Sequence, residues 1–332
     1  MSESKWKVIG ASGFVGSSIV ERLNAEGISV DPIEAPRLAT RALDVDSIIN
    51  EADQLEGIID SLAEAFAGAQ VVVNAAGLAA PNMQDLPPLV GANALLPAVI
   101  AIAAQRTGVR RVIHLSSAAV QGPRLVLDDS EETNPFSAYS FSKALGEEAL
   151  LDLQDYFLEE HPDCAPELCI LRATSVQGRG RRTTELFAKI ASSPFASVAG
   201  AGTGKSPVSS VQALAEFVVM LGTFPGELPI VLQPWEGATV ASASVDAGRR
   251  HPHRLPEWLC RAAIKAGYTV SELMNDKFAG SVRKVEVMWF GQGIDDSWAR
   301  ENNLLPTPRV REVLRTAHTA LGKKKDRRFD KN

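Results

Sequence analysis

Cysteine is scarce in this sequence: Cys164, Cys169 and Cys260 are an odd number with no CxxC spacing. That excludes a disulfide framework and a structural zinc site, and it points to a reducing cytoplasm. Histidine is almost as rare. His251 and His253 stand close together, but with no third ligand and no helical H-x-x-x-H they predict no metal site. Basic surplus is missing too: the net charge is −6, with a pI near 5.5, which excludes a general nucleic-acid binder. Only the end, GKKKDRRFDKN, is basic, and residues 321–332 are expected to be a solvated tail without structure. No uninterrupted apolar run approaches the ~18–20 residues of a membrane span, and no apolar leader follows Met1, so neither a membrane partner nor export is expected.

What is present is enough for a large core: 332 residues, 45% of them apolar. Valine- and isoleucine-rich runs alternate with segments of helical period: KWKVIG, then a helix from about Val15; QVVVNAAG, then a helix around Asn93; RRVIHLSS, then a helix bearing Tyr139; and ELCILRA. This alternation predicts α/β units and a doubly wound, mostly parallel sheet whose ligand lies at the carboxyl ends of the strands. Beyond Val176 the alternation weakens, and only VQALAEFVVMLG followed by PIVLQP adds one more unit. HPHRLPEWLCRAAIKAG and PRVREVLRTAHTAL are the clearest helical pieces afterwards, and Trp258, Trp289 and Trp298 are expected to pack a small lobe. The expected division is therefore 1–176 with 211–234 as the sheet domain, and 177–210 with 235–320 as a smaller substrate-binding lobe.

Gly10, Gly13 and Gly16, in IGASGFVGSSIVERL, lie between a strand and an amphipathic helix. Glycines there permit a tight turn and close approach of a pyrophosphate to the free N–H groups of Ser12, Phe14 and Val15 at the helix start. The spacing is GxxGxxG rather than GxGxxG, so the context of strand, turn and helix carries the dinucleotide reading. An acid about 20 residues on should hold the adenosine ribose. Glu34 fits and favours NAD; Arg37 would pair with the 2′-phosphate of NADP; Asp31 competes with Glu34, and Pro32 obscures where the strand ends.

Tyr139 stands four residues before Lys143, so on a helix the two share one face. An ammonium beside a phenol lowers a pKa that is otherwise ~10, which suits general acid–base catalysis of alcohol–ketone interconversion. Ser117, at the end of the preceding strand, falls where its hydroxyl would hold the same substrate oxygen.

Taken in order, GASGFVG, VVVNAAG, Asn93, RRVIHLSSAAVQG, NPFSAYSFSK, ILRATSVQGRG and PVSSVQALAEFVV make residues 5–235 resemble the extended short-chain dehydrogenases/reductases, the NAD-dependent epimerase/dehydratase family. The resemblance implies a Rossmann-type domain with a C-terminal lobe, and it makes VVVN the fourth strand. Tyr139 would be the acid/base. Lys143 would lower its pKa and bond the nicotinamide ribose, and Ser117, chosen over Ser116, would orient the substrate oxygen. Asn93 is implied to be structural or part of a water relay near the cofactor, Ala75, Ala76 and Gly77 to approach the cofactor by backbone, and a homodimer to form through the helices around Asn93 and Tyr139.

Departures cluster on the substrate side. VQG replaces VYG at Val120–Gly122 and Val176–Gly178, Ser175 replaces an asparagine, SSVQ replaces HVxD, and Ile9 replaces a threonine. Ala118 and Ala119 stand where dehydratases carry an acid, which disfavours a dehydratase. Arg179, Arg181 and Arg182 offer an arginine clamp for a substrate diphosphate. His114 reads as a core histidine. The expectation is an NAD(P)-dependent oxidoreductase of a secondary alcohol and ketone. A nucleotide-sugar 4-epimerase ranks first and an NADPH-dependent carbonyl reductase second. A non-catalytic dinucleotide sensor ranks behind both, because Ser117, Tyr139 and Lys143 are all retained.

Overall fold

The computed structural model describes residues 5–329 apart from 80–82, 84, 229 and 275–277. Strands without polar alternation pair where both faces can be covered. The main sheet contains β1 (Trp6–Ile9), β2 (Val30–Ile33), β3 (Val71–Asn74), β4 (Arg111–Ser117), β6 (Glu167–Ala173) and β10 (Ile230–Leu232). Their order is β10-β6-β4-β3-β1-β2, and every pairing is parallel. Three two-stranded pairings lie outside that sheet: β5 (Val126–Leu127) with β12 (Gly293–Ile294), β7 (Ser175–Gln177) with β9 (Val208–Ser210), and β8 (Ser197–Ala199) with β11 (His253–Leu255). Each is two or three residues long, too short to show a sequence period.

One face of the sheet is covered by α1 (Phe14–Ala25) and α8 (Val211–Thr223). The other carries α2 (Val45–Asp53), α3 (Glu56–Phe66), α4 (Leu86–Val90), α5 (Leu96–Thr107) and α6 (Ala138–Glu160), with a π-helical turn at Gly91–Leu95 between α4 and α5. In the lobe, α7 (Arg182–Ser192), α9 (Val240–Gly248) and α13 (Val310–Phe329) pack on an alanine-rich core. The lobe also holds α10 (Glu257–Leu273) and α11 (Ala279–Phe290), which pack on each other, while α12 (Ser297–Glu301) sets Ala299 and Trp298 against the sheet domain.

Several expectations are corrected. VVVN is the third strand, because the chain leaves β2 through the irregular stretch 34–43 and enters α2 with no intervening strand. β2 is an edge strand, which accommodates Pro32. Leu86–Thr107 is in fact long and apolar enough to cross a bilayer, with mean hydropathy 1.8, but 78% of that window is buried against the sheet and its own neighbours. The HPHRL segment opens as strand β11, not helix. Trp258 is 72% exposed, and Trp298 packs edge-on against Phe224 of the sheet domain rather than within the lobe. α13 continues to Phe329, through most of the basic stretch expected to lack structure. On α5, one of the helices the resemblance implied for a dimer, all of Leu96–Ala104 is buried, in one cluster with residues of α2 and α3, and α2 reaches α6 as well.

Candidate active site

The glycine loop follows β1 at the carboxyl edge of the sheet. Gly10 turns with φ +77°, its N–H donates to Ile33 O at 3.3 Å, and Gly13 N donates to Gly10 O at 2.9 Å. A Cβ on Gly10 would lie 2.7 Å from Ala76 N, and one on Gly16 would overlap the Gly10 carbonyl oxygen. The loop is thus wedged between α1 and the segment after β3, where only bare backbone fits. Gly13 caps α1 without a side chain, and no acid lies in the first turn, so the N–H groups of Phe14 and Val15 and the positive helix end are left for a phosphate. Ser12 is exposed beside them. These residues fit a dinucleotide.

Glu34 directly follows the carbonyl that Gly10 touches, and both Glu34 and Arg37 are exposed. Asp31 is no longer a competitor: its carboxylate pairs with Lys7 at 2.6 Å, and that hydrogen bond holds it below its ordinary pKa. Ala75 N donates to Ile9 O at 3.0 Å and Ala76 N to Asn74 Oδ1 at 3.1 Å. Gly77 reaches α6 and the π-turn, since a Cβ there would lie 2.8 Å from Asn93 Oδ1 and 3.3 Å from Lys143 Nζ.

β4 delivers Ser117, and α6 delivers Tyr139 and Lys143 one turn apart. α6 starts sharply because Ser137 and Ser140 form a reciprocal capping box. Ser117 Oγ accepts from Ala119 N at 3.2 Å and also hydrogen-bonds the Tyr139 phenol. Lys143 is buried and donates to Leu115 O at 2.8 Å. Burial pushes its ammonium down from 10.5 to about 8, against the pull of the Glu147 carboxylate.

The phenol does not follow the expected electrostatics. Burial raises the Tyr139 pKa above 10, while the Ser117 hydrogen bond and then the charge of Arg181 pull it down. The Lys143 ammonium is turned to Leu115 O.

Beneath this trio lies a network that pattern reading missed. Glu147, one turn beyond Lys143, is fully buried and pairs with Arg172 of β6, Nη2 to Oε2 being 2.7 Å and Nε to Oε2 3.0 Å. Ser116 Oγ donates to the same carboxylate, and Arg172 Nη1 donates to Ser130 O. The available signal was an arginine inside the apolar run ILR, together with an acid four residues after Lys143. His114 is the expected core histidine: its Nδ1 meets Asn74 Nδ2 at 3.0 Å, and burial with the nearby Lys143 charge holds its pKa well below 6.5.

Asn93 sits in the π-turn with its side chain committed. Oδ1 accepts from Leu78 N at 3.0 Å, and Nδ2 donates to Leu78 O at 3.2 Å and to Ser142 Oγ at 3.0 Å. It fastens the segment after β3 to α6, with both amide protons engaged. On the substrate side, Gln121 bonds Asp128 in both directions, at 2.6 and 3.0 Å. Gln177 Nε2 donates to Ser175 O and Oγ, both at 2.9 Å, so the two glutamines that replace tyrosine tie down local chain. Ser175, Arg179 and Arg182 are exposed, the last opening α7. Arg181 alone of the three arginines turns inward, its Cζ 4.6 Å from the centroid of the Phe14 ring.

A family model described as NAD dependent epimerase/dehydratase family matches residues 6–225. Among curated proteins, a 4-hydroxy-2-methyl-3-oxo-4-farnesyl-3,4-dihydroquinoline-1-oxide ketoreductase from Stigmatella aurantiaca is 30% identical over 152 residues, 43% of this chain and 44% of that protein. A UDP-glucose 4-epimerase from Mycolicibacterium smegmatis is 32% identical over 151 residues, 42% of this chain and 48% of that protein. The chain thus matches about half the length of these curated relatives. Among solved structures, UDP-glucuronic acid 4-epimerase from Bacillus cereus, in complex with UDP-glucuronic acid and NAD, superposes with a TM-score of 0.62. That superposition covers 96% of this chain and 99% of that one at 15% identity, a likeness of fold.

Proposed function

Because the chain belongs to the NAD dependent epimerase/dehydratase family, we propose that it is a cytoplasmic NAD(P)-dependent oxidoreductase that interconverts a secondary alcohol and a ketone. The observation that carries this reading is the convergence of Ser117, Tyr139 and Lys143 at the carboxyl edge of the sheet, beside a glycine loop built to receive a dinucleotide. A bound nicotinamide would accept or return hydride at the substrate carbon. Ser117 would orient the oxygen, Tyr139 would move its proton, and Lys143, which lies against Gly77, would hold the nicotinamide ribose. No second acid is needed, which accords with Ala118 and Ala119 following the serine.

The first substrate reading is a nucleotide-sugar, epimerised at C4 through a transient ketone with the cofactor retained, and Arg179, Arg182 and Ser175 are the proposed contacts to its diphosphate. The relatives named above motivate that choice by analogy. The second reading, an NADPH-dependent carbonyl reductase, is favoured by Arg37, an exposed cation three residues past Glu34.

The test is to denature protein purified without added nucleotide and identify any dinucleotide released, then to incubate the native protein with UDP-glucose and analyse the sugar by NMR. Near-stoichiometric NAD with inversion at C4 establishes the epimerase. An empty protein that binds NADPH more tightly than NADH and leaves UDP-glucose unchanged establishes the second reading. Tyr139→Phe should lower turnover by ~10²–10⁴ while dinucleotide binding persists. Undiminished turnover in that variant would sink both readings.

A further inference from the structure

The helix α10 presents its broader apolar side to solvent. Its buried residues are Cys260, Ile264 and Ser271, and beside them Gly267 lets α11 come close, since a Cβ there would lie 3.1 Å from Val282. The opposite side is exposed and apolar. At about 100° per residue, Trp258, Leu259, Val270, Leu273 and Met274 fall within one arc of ~160°, with only alanines and Thr269 between them on that side. Trp258 is 72% exposed and Leu273 81%. A helix ordinarily turns its apolar stripe to the core, and a contiguous apolar patch of several hundred Å² left in water marks a place of contact.

The charges around the arc indicate the kind of contact. Arg249, Arg250 and Arg254 precede Trp258 on the turn and on β11, which lead directly into α10. Lys265, two turns after Trp258, borders the arc on the indole's side. All four cations are exposed, and among the described residues none of them makes an ion pair. Of the two acids in this segment, Glu257 has Arg261 at 3.8 Å, which leaves Glu272 against the four. In a chain of net charge −6 this is a basic island. A second exposed aromatic stands beside it. Phe195 is 86% exposed, and its neighbours hold β11, His253 Nε2 donating to Pro194 O at 2.9 Å and His253 N to Ala196 O at 2.7 Å.

We propose that this face docks on an anionic lipid surface. The helix α10 lies in the plane of the bilayer, with its apolar arc among the outer acyl chains and the Trp258 indole at headgroup depth, while Arg249, Arg250, Arg254 and Lys265 meet lipid phosphates. Apolar area supplies the hold and the cations supply the preference for anionic lipid, a combination by which a helix rests on a membrane without spanning it. Docking needs no change of fold, because α11 already holds α10 from its other side. Nor does it depend on which reaction the enzyme catalyses.

The full chain is floated with vesicles of phosphatidylcholine alone and of phosphatidylcholine with phosphatidylglycerol at about 7:3, in about 0.1 M and about 0.5 M NaCl. It should float with the mixed vesicles at the lower salt, ~10-fold better than with phosphatidylcholine alone, and lose most of that binding at the higher salt. Trp258→Ser and Leu273→Ser should each weaken binding by ~10-fold, and Arg249→Gln with Arg250→Gln by ~10-fold or more. Leu158→Ser, at an exposed apolar position on α6, should leave binding unchanged. All the substituted positions are exposed, so each variant should keep its native circular dichroism. Absence of flotation, equal flotation of wild type and the Trp258 and Leu273 variants, or no preference for phosphatidylglycerol overturns the proposal. So does a mass above that of a monomer, measured without vesicles, that Leu273→Ser returns to monomer, because the face would then belong to a second copy.

Discussion

Replacing Lys143 by methionine should stabilise the fold while destroying activity. The ammonium is fully enclosed, and its pKa is pushed from 10.5 to about 8, mainly by burial, with the Glu147 carboxylate opposing. A displacement of that size, at ~1.4 kcal/mol per unit, means that holding the charged form inside the fold costs about 3 kcal/mol at neutral pH. Methionine is similar in length and removes that cost, but it also removes the hydrogen bond to Leu115 O, worth about 1 kcal/mol. A net gain of ~1–2 kcal/mol follows, or a few degrees in Tm. The pH dependence is distinctive. Below about pH 8 the lysine is charged in both folded and unfolded chains, and its cost is complete. Between about 8 and 10.5 the folded protein has lost a proton that the unfolded chain still binds, so wild-type stability rises with pH relative to the variant. Above 10.5 the cost is gone. Denaturant unfolding of both proteins at several pH values from about 7 to 10.5 therefore should show a gap that favours the variant near neutrality and closes as pH rises. A variant less stable than wild type at neutral pH, or a gap that does not change with pH, would refute the claim that burial governs this lysine.

Gly16→Ala should weaken dinucleotide binding by ~5- to 100-fold in calorimetry, because a Cβ would overlap the Gly10 carbonyl oxygen and force the loop off α1 at a cost of ~1–3 kcal/mol. Unchanged affinity would mean that the loop is not the phosphate cradle. Arg172→Leu should cost ~3–5 kcal/mol in chemical unfolding, since it strands the buried Glu147 carboxylate. Adding Glu147→Leu should recover much of that loss, and a double variant no better than the single one would show that the pair is not electrostatically coupled.

How much of this was legible depends on how local the signal is. The glycine loop, the buried strands VVVN and ILRA and the Tyr139–Lys143 spacing are each written within a few residues, and the structure places them at one edge of one sheet. What engages the Lys143 ammonium was not legible. Helical spacing brings Lys143 to the correct face, but the Leu115 carbonyl that its ammonium bonds lies on β4, 28 residues earlier. Nothing in the local pattern separated Arg181 from Arg179 and Arg182, because Phe14, the surface that selects it, belongs to the other end of the chain. The lobe was the least legible part, since its strands are two or three residues long and pair across as many as 167 positions, from Val126 to Gly293.

The association surface shows the same limit and leads to a testable difference. The resemblance implied a homodimer through the helices that here are α5 and α6, and a helix meant to meet a partner keeps an apolar stripe uncovered. In this chain Leu96–Ala104 has no exposed position, and Ile48 and Ala52 of α2 and Ile59, Leu62 and Phe66 of α3 share its cluster. α2 exists as an amphipathic helix because Asp44 caps it by accepting from Ser47 N, so the cover is built from strongly specified local structure. α6 adds Glu148, Asp152 and Asp155 to its exposed surface, charges that would be desolvated in a dimer interface. The expected mass by light scattering is therefore that of a 35.5 kDa monomer at micromolar concentration. A stable dimer that dissociates when Asp152 or Tyr156, exposed on α6, is replaced by arginine would show that this face associates after all, and that α2 moves aside to let it.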